Sequence, residues 1–171
     1  MDDLSSGRDI AFAMSSILRK LGEVGFEGRR VSPSDTANRS LERFDELVTN
    51  KQIRLVSGPL FKDGHFARAV EEAFKCLNNA VKDKSGNTGA DGAGLMKTVF
   101  SANSPVLKLN SFQSQSERDE QLGYMEIFSG SMTGIRNPRA HEHSLVDEPD
   151  VALELVILAN HLMRKLDAAS K

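Results

Sequence analysis

The chain has one cysteine, one tyrosine and no tryptophan. A single cysteine closes no internal disulfide and anchors no Cys-rich zinc site, which excludes a bridge-stapled secreted scaffold and points to a reducing compartment, the cytoplasm. A basic excess is missing as well. The 22 Lys and Arg against 24 Asp and Glu give a formal charge of -2, so no overall field recruits nucleic acid or an anionic membrane, and any anion site must be local. Long apolar runs are also lacking: the most apolar stretch, Val151 to Met163, is interrupted by Glu154 and His161 and is too short to span a bilayer. The opening MDDLSSGRD carries acidic residues where a signal peptide needs basic ones, so neither export nor membrane insertion is expected. What remains is an ordinary globular composition of 171 residues, 39% hydrophobic and 27% charged, enough to bury roughly 70% of the unfolded surface around one core.

Apolar periodicity predicts helices. Ile10, Ala13, Met14, Ile17, Leu18 and Leu21 recur at helical spacing between Ser6 and the stop signals Gly22 and Gly25. Ala37, Leu41, Phe44, Leu47 and Val48 repeat the pattern after Ser34, with a short continuation over Ile53–Ser57 before a break at Gly58-Pro59. These elements form a helical N-terminal appendage over residues 1–54, followed by a main domain over 55–171. The longest stripe, Phe66, Val70, Ala73, Phe74, Leu77, Ala80 and Val81, predicts a helix over Gly64–Lys82. A Gly-rich loop from Ser85 to Gly94 leads to a short helix around Leu95–Phe100, and Val106–Phe112 admits an extended conformation. Ser114 and Glu117 make a capping box opening a helix whose inward residues are Leu122, Met125, Phe128, Met132 and Ile135. Gly123, Gly130 and Gly134 weaken that helix, so a close contact or a partner explains them. A final helix starts near Glu148-Pro149 and buries Ala152, Leu155, Val156, Ala159, Leu162, Met163 and Leu166. Helices without recurrent strands predict an all-α bundle.

Several features fail as sites. The Gly-rich loop lacks a preceding strand, and Leu95 and Met96 separate Gly94 from Lys97-Thr98, so it reads as an interhelix loop rather than a P-loop. Cys76 lies inside an amphipathic stripe and reads as a buried small hydrophobe. His65 reads as a local structural contact and His161 as a helix-surface or interface histidine.

One stretch is different. Gly134-Ile-Arg136-Asn137-Pro138-Arg139-Ala-His141-Glu142-His143 compresses two arginines, two histidines and an amide around a proline. Asn-Pro matches an N-cap followed by the first helical position, so the chain is expected to change direction there. On an uninterrupted helix Arg136 and His141 stand about 140° apart, and a break would turn both toward one pocket. His141, Glu142 and His143 lack further ligands at a recognisable spacing, and neighbouring arginines repel a divalent cation, so no metal and no cofactor is expected. The remaining readings are a phosphate-handling acid/base site and an arginine-rich helix end that caps carbonyls and pairs with Glu142, Asp147 or Glu148.

The stretch from Arg136 to His141 resembles the Arg-(four to six residues)-His motif of HEPN domains, a helical ribonuclease superfamily, and Asn137 fits the polar residue that follows the arginine. GHFARAVEEAFKCLNNAV, DGAGLMKTVFS, and GIRNPRAHE followed by a helix ending in HLMRKLD resemble the uncharacterised Ymh-type family within it, over about Leu55 to Asp167. The resemblance implies an all-α, HEPN-like bundle, commonly a homodimer whose motifs share one cleft. It also implies metal-independent RNA cleavage in toxin-antitoxin or abortive-infection (antiviral) settings, with an antitoxin or defence-system partner. Arg136, Asn137 and His141 are then catalytic, and Arg139 and His143 contact substrate. The chemistry agrees: an arginine holds a phosphate bidentately, and an ordinary histidine exchanges protons near pH 6.5. In some HEPN toxins a tyrosine that a nucleotidyltransferase antitoxin modifies stands where this chain has His143, so control by that route is not expected. Glu72 is a candidate to orient Arg136 or His141, or else a solvated helix charge. A noncatalytic RNA- or nucleotide-binding and dimerisation module is the alternative.

Overall fold

In the computed structural model the described residues are 19–20, 33–142 and 144–171. The chain divides into two compact units, residues 1–32 and Pro33–Lys171. Arg19 and Lys20 of the first unit are helical; the rest of the helix expected over Ile10–Leu21 lies outside the described residues.

The second unit runs α1 (Pro33–Leu47), α2 (Lys51–Lys62), α3 (Phe66–Ser85), α4 (Gly92–Val99), α5 (Gln115–Ser131), a π turn (Met132–Arg136), α6 (Asn137–His141) and α7 (Pro149–Ala168). The fold is all-α. Among the described residues the nearest thing to a strand is an isolated antiparallel bridge between Lys108 and Ser170 in the segment expected to be extended, and no helix is long and apolar enough to cross a membrane.

The central element is α3, whose apolar residues make one broad stripe. Ala69, Val70, Ala73, Phe74, Leu77 and Val81 are all fully buried, and α2, α4, the π turn, α6 and α7 pack around it. Each large apolar side chain removed from water contributes about 1.5–3 kcal/mol, so α3 anchors the core. It stops at Gly86, whose φ of 75° is the left-handed C-cap conformation and whose N–H reaches the Lys82 carbonyl at 2.8 Å. α7 packs its Ala152, Val156, Ala159, Leu162, Met163 and Leu166 stripe into the same core. Leu155 is only partly buried there, while Leu153 is buried.

Three expectations change. Pro59 does not end α2: it is exposed, and the ladder resumes beyond it when the Asp63 N–H reaches the Pro59 carbonyl at 3.0 Å. The boundary placed between residues 54 and 55 therefore falls inside α2, and Phe44, Val48 and Ile53 share the core of the main unit instead of forming an appendage. In α5 the capping box forms as expected, but Leu122 points outward, 45% exposed, and Gln121 takes the buried position. The Gln121 amide pins the irregular segment before α5 by accepting from the Leu109 N–H at 2.9 Å and donating to the carbonyls of Phe100 and Leu107, both at 3.1 Å. Three backbone groups that would be orphaned in the interior are thereby satisfied.

Candidate functional site

The motif sits where α5 loses α-helical register. In the π turn the Asn137 N–H bonds the Met132 carbonyl, five residues back. Proline breaks helices by lacking an N–H and by crowding the carbonyl four residues earlier; a widened turn just before Pro138 relieves the crowding, so helical backbone continues through it as α6. Asn137 is accordingly helical, with φ -63° and ψ -43°, and is not the N-cap of a new helix. The backbone stays helical from Ser131 through His141, where a break is expected.

Helical phase then fixes the site. Asn137 and His141 lie one turn apart on the same face of α6, while Arg136 starts about 140° away from His141 and reaches toward Asn137 through its side chain. Arg136 Nη1 stands 3.3 Å from Asn137 Oδ1, a long hydrogen bond, and Arg136 Nε is buried with no partner at all. The His141 imidazole is exposed. The structure thus joins Arg136 to Asn137 directly and sets Asn137 one turn below His141, with no hydrogen bond from His141 to either.

Arg139 is differently employed. Its Nε and Nη2 both lie 2.6 Å from the two carboxylate oxygens of Asp147, and Nη1 donates to the Ile135 carbonyl at 2.8 Å. Both side chains are nearly sealed from solvent, at 9% and 8% exposure. Of the two uses open to this arginine, pairing with a neighbouring acid is the one the geometry realises. The fork ties the chain after α6 back to the π turn. His143 lies outside the described residues.

Glu72 does not touch the motif. It pairs with Arg68 at 2.8 Å and with Lys75 at 3.3 Å, and lines a different groove together with Leu55 and Cys76. Cys76 is half-buried, and burial, aided by the Glu72 charge, raises its thiol pKa, which keeps it an unreactive thiol. The Gly-rich loop is closed by Asn78, which accepts from the Gly92 N–H at 3.0 Å and donates to Asp91 at 2.7 Å. Lys82 and Asn78 together hold the Asp91 carboxyl below its usual range.

Two features were not legible beforehand. Glu71, buried and paired with Arg68 at 2.6 Å, lies with Arg139 and Glu142 in the wall of a cleft beside the motif. Tyr124 hydrogen-bonds His161 Nε2 at 2.7 Å, and Lys165 lies over the Tyr124 ring at 4.4 Å while pairing with Glu120. The i,i+4 spacing of Glu120 with Tyr124 and of His161 with Lys165 is visible in sequence, but nothing local shows that the two helices present these pairs to each other. The outer face of α5 is bare: Gly123, Ile127 and Gly130 follow at steps of four and three, Ile127 is 45% exposed, and a Cβ at either glycine, or at Gly134 in the π turn, would meet nothing within 4 Å.

Residues 50–166 match the model of a family described as "Protein of unknown function (Hypoth_ymh)". The chain belongs to this family. The Hypoth_ymh match begins at the N-cap of α2 and ends in the last turn of α7, so it takes in the central α3, the π turn and the whole Arg136–His141 motif. Neither the curated proteins nor the solved structures contain a match to the chain.

Proposed function

We propose that this protein is a HEPN-type, metal-independent endoribonuclease of a prokaryotic toxin or antiviral abortive-infection system, acting in the cytoplasm as a homodimer. The observation that carries the reading is the state of Arg136: a guanidinium with one buried N–H unpartnered and one long hydrogen bond to Asn137, with the exposed imidazole of His141 one turn beyond Asn137. The terminal nitrogens of Arg136 make only that one long bond, which leaves N–H donors for a phosphate oxygen.

In this reading Arg136 and Asn137 hold the scissile phosphate, and His141 removes the proton from the 2′-hydroxyl as its oxygen attacks phosphorus. The P–O5′ bond breaks, and O5′ takes a proton from a second acid. One chain presents one such histidine in the described site, so the acid is the His141 of a second copy across a two-fold. The bare glycine face of α5, which runs up to the π turn, suits that close approach. The products carry 2′,3′-cyclic phosphate and 5′-hydroxyl ends. Incubating the purified full chain with RNA in EDTA and identifying the new ends is the test: cyclic phosphate supports the reading, and RNA that is bound but never cut favours the noncatalytic module.

A further inference from the structure

Beside the motif, the start of α3 and the chain between α6 and α7 enclose a cleft of about 320 Å³. Its floor is ionic but internally neutralised, because Arg139 forks onto Asp147 and Arg68 pairs with Glu71. Two titratable groups in its wall are uncommitted: the imidazole of His65 and the carboxylate of Glu142, both on exposed residues. The rest of the lining is largely apolar, with Phe66, Leu145 and Val146, the last 85% exposed. Cations already spent on carboxylates, with a free carboxylate at the edge, make a poor seat for a phosphate. Apolar and aromatic walls with one acceptor at the edge suit a flat, neutral heterocycle that carries N–H donors.

We propose that this cleft seats a nucleobase, guanine in preference, stacked against His65 and Val146 with its two adjacent N–H donors on the two oxygens of Glu142. The inference rests on the reading of the motif as an RNA site: Arg139 and Glu142 bracket His141 in the chain, so the base belongs to a nucleotide neighbouring the phosphate at Arg136. A free guanosine nucleotide is the other source of the same chemistry.

The test measures binding of the full chain to two 2′-O-methyl oligonucleotides, which have no free 2′-hydroxyl to attack, one all-uridine and one carrying a single guanosine, with guanosine monophosphate as a third probe. The guanosine oligonucleotide is expected to bind about tenfold tighter. Glu142→Gln and Val146→Asp, both at exposed positions, should erase that difference, while Arg136→Ala weakens both oligonucleotides alike. Equal binding of the two by the wild type, with dependence on Arg136 retained, overturns the base slot and leaves the motif reading standing. Binding of guanosine monophosphate that Glu142→Gln abolishes, without binding of either oligonucleotide, supports the slot and overturns the RNA reading. Absence of binding to all three overturns both.

Discussion

Arg136 and Arg139 lie one helical turn apart, and their surroundings divide their labour. Arg136 has donors to spare, so Arg136→Ala should weaken both RNA affinity and turnover, and Arg136→Lys should restore only part, because an ammonium lacks the planar fork that grips two phosphate oxygens. Binding and single-turnover cleavage measured on the two variants check this; full rescue by lysine would reduce the role to bare charge. Arg139 has its fork filled. Removing one partner of a buried pair strands the other, so Asp147→Ala should cost about 3–5 kcal/mol of unfolding free energy, read from denaturant midpoints. A loss below about 1 kcal/mol would mean that the fork does not brace the loop after the motif. Sequence offered Glu142, Asp147 and Glu148 as partners for an arginine here, and only the irregular path from Ser144 to Glu148 selects Asp147.

At the scale of the element, local signals were legible where their causes are local. The box at the start of α5 is written in residues three apart: Ser114 Oγ accepts from the Glu117 N–H at 3.2 Å, and the Glu117 carboxylate accepts from the Ser114 N–H at 2.8 Å. Ser111 also donates to that carboxylate. The bonds this carboxylate accepts, from Ser111 foremost and then from the Ser114 and Gln113 N–H groups, hold the Glu117 pKa at about 2, below its ordinary 4.5. A carboxyl depressed on folding stabilises the fold fully above its unfolded pKa, and that contribution is lost as pH falls toward the folded value. The stability difference between wild type and Glu117→Gln should therefore shrink as pH drops from above 4.5 to about 2; a difference that stays flat over this range would contradict the cap. Prolines were less legible, because whether Pro59 or Pro138 ends a helix depends on tertiary packing and, for Pro138, on the π turn before it. Gln121 shows a third limit, since its buried amide makes sense only once the Phe100–Leu109 segment is folded against it.

For the molecule as a whole, the bare face of α5 and the motif belong to one proposal. Nothing lies within 4 Å of a Cβ built at Gly130, so Gly130→Leu leaves the fold of the single chain intact while obstructing a close-packed neighbour. Sedimentation of the variant should show a monomer where the wild type is a dimer, and cleavage should fall with dimerisation; a dimer that persists with full activity would place the interface elsewhere. The all-α architecture and the motif were legible because helical periodicity and a compressed run of charged residues are visible in one dimension. The cleft was not, since its walls come from segments about seventy residues apart. The measurement that bears most directly on the central claim compares wild type with His141→Ala in EDTA. General acid/base catalysis contributes about 10²- to 10⁴-fold, so the variant should cleave RNA at least about 10²-fold more slowly while keeping most of its affinity. Cleavage at the wild-type rate by folded His141→Ala would contradict it.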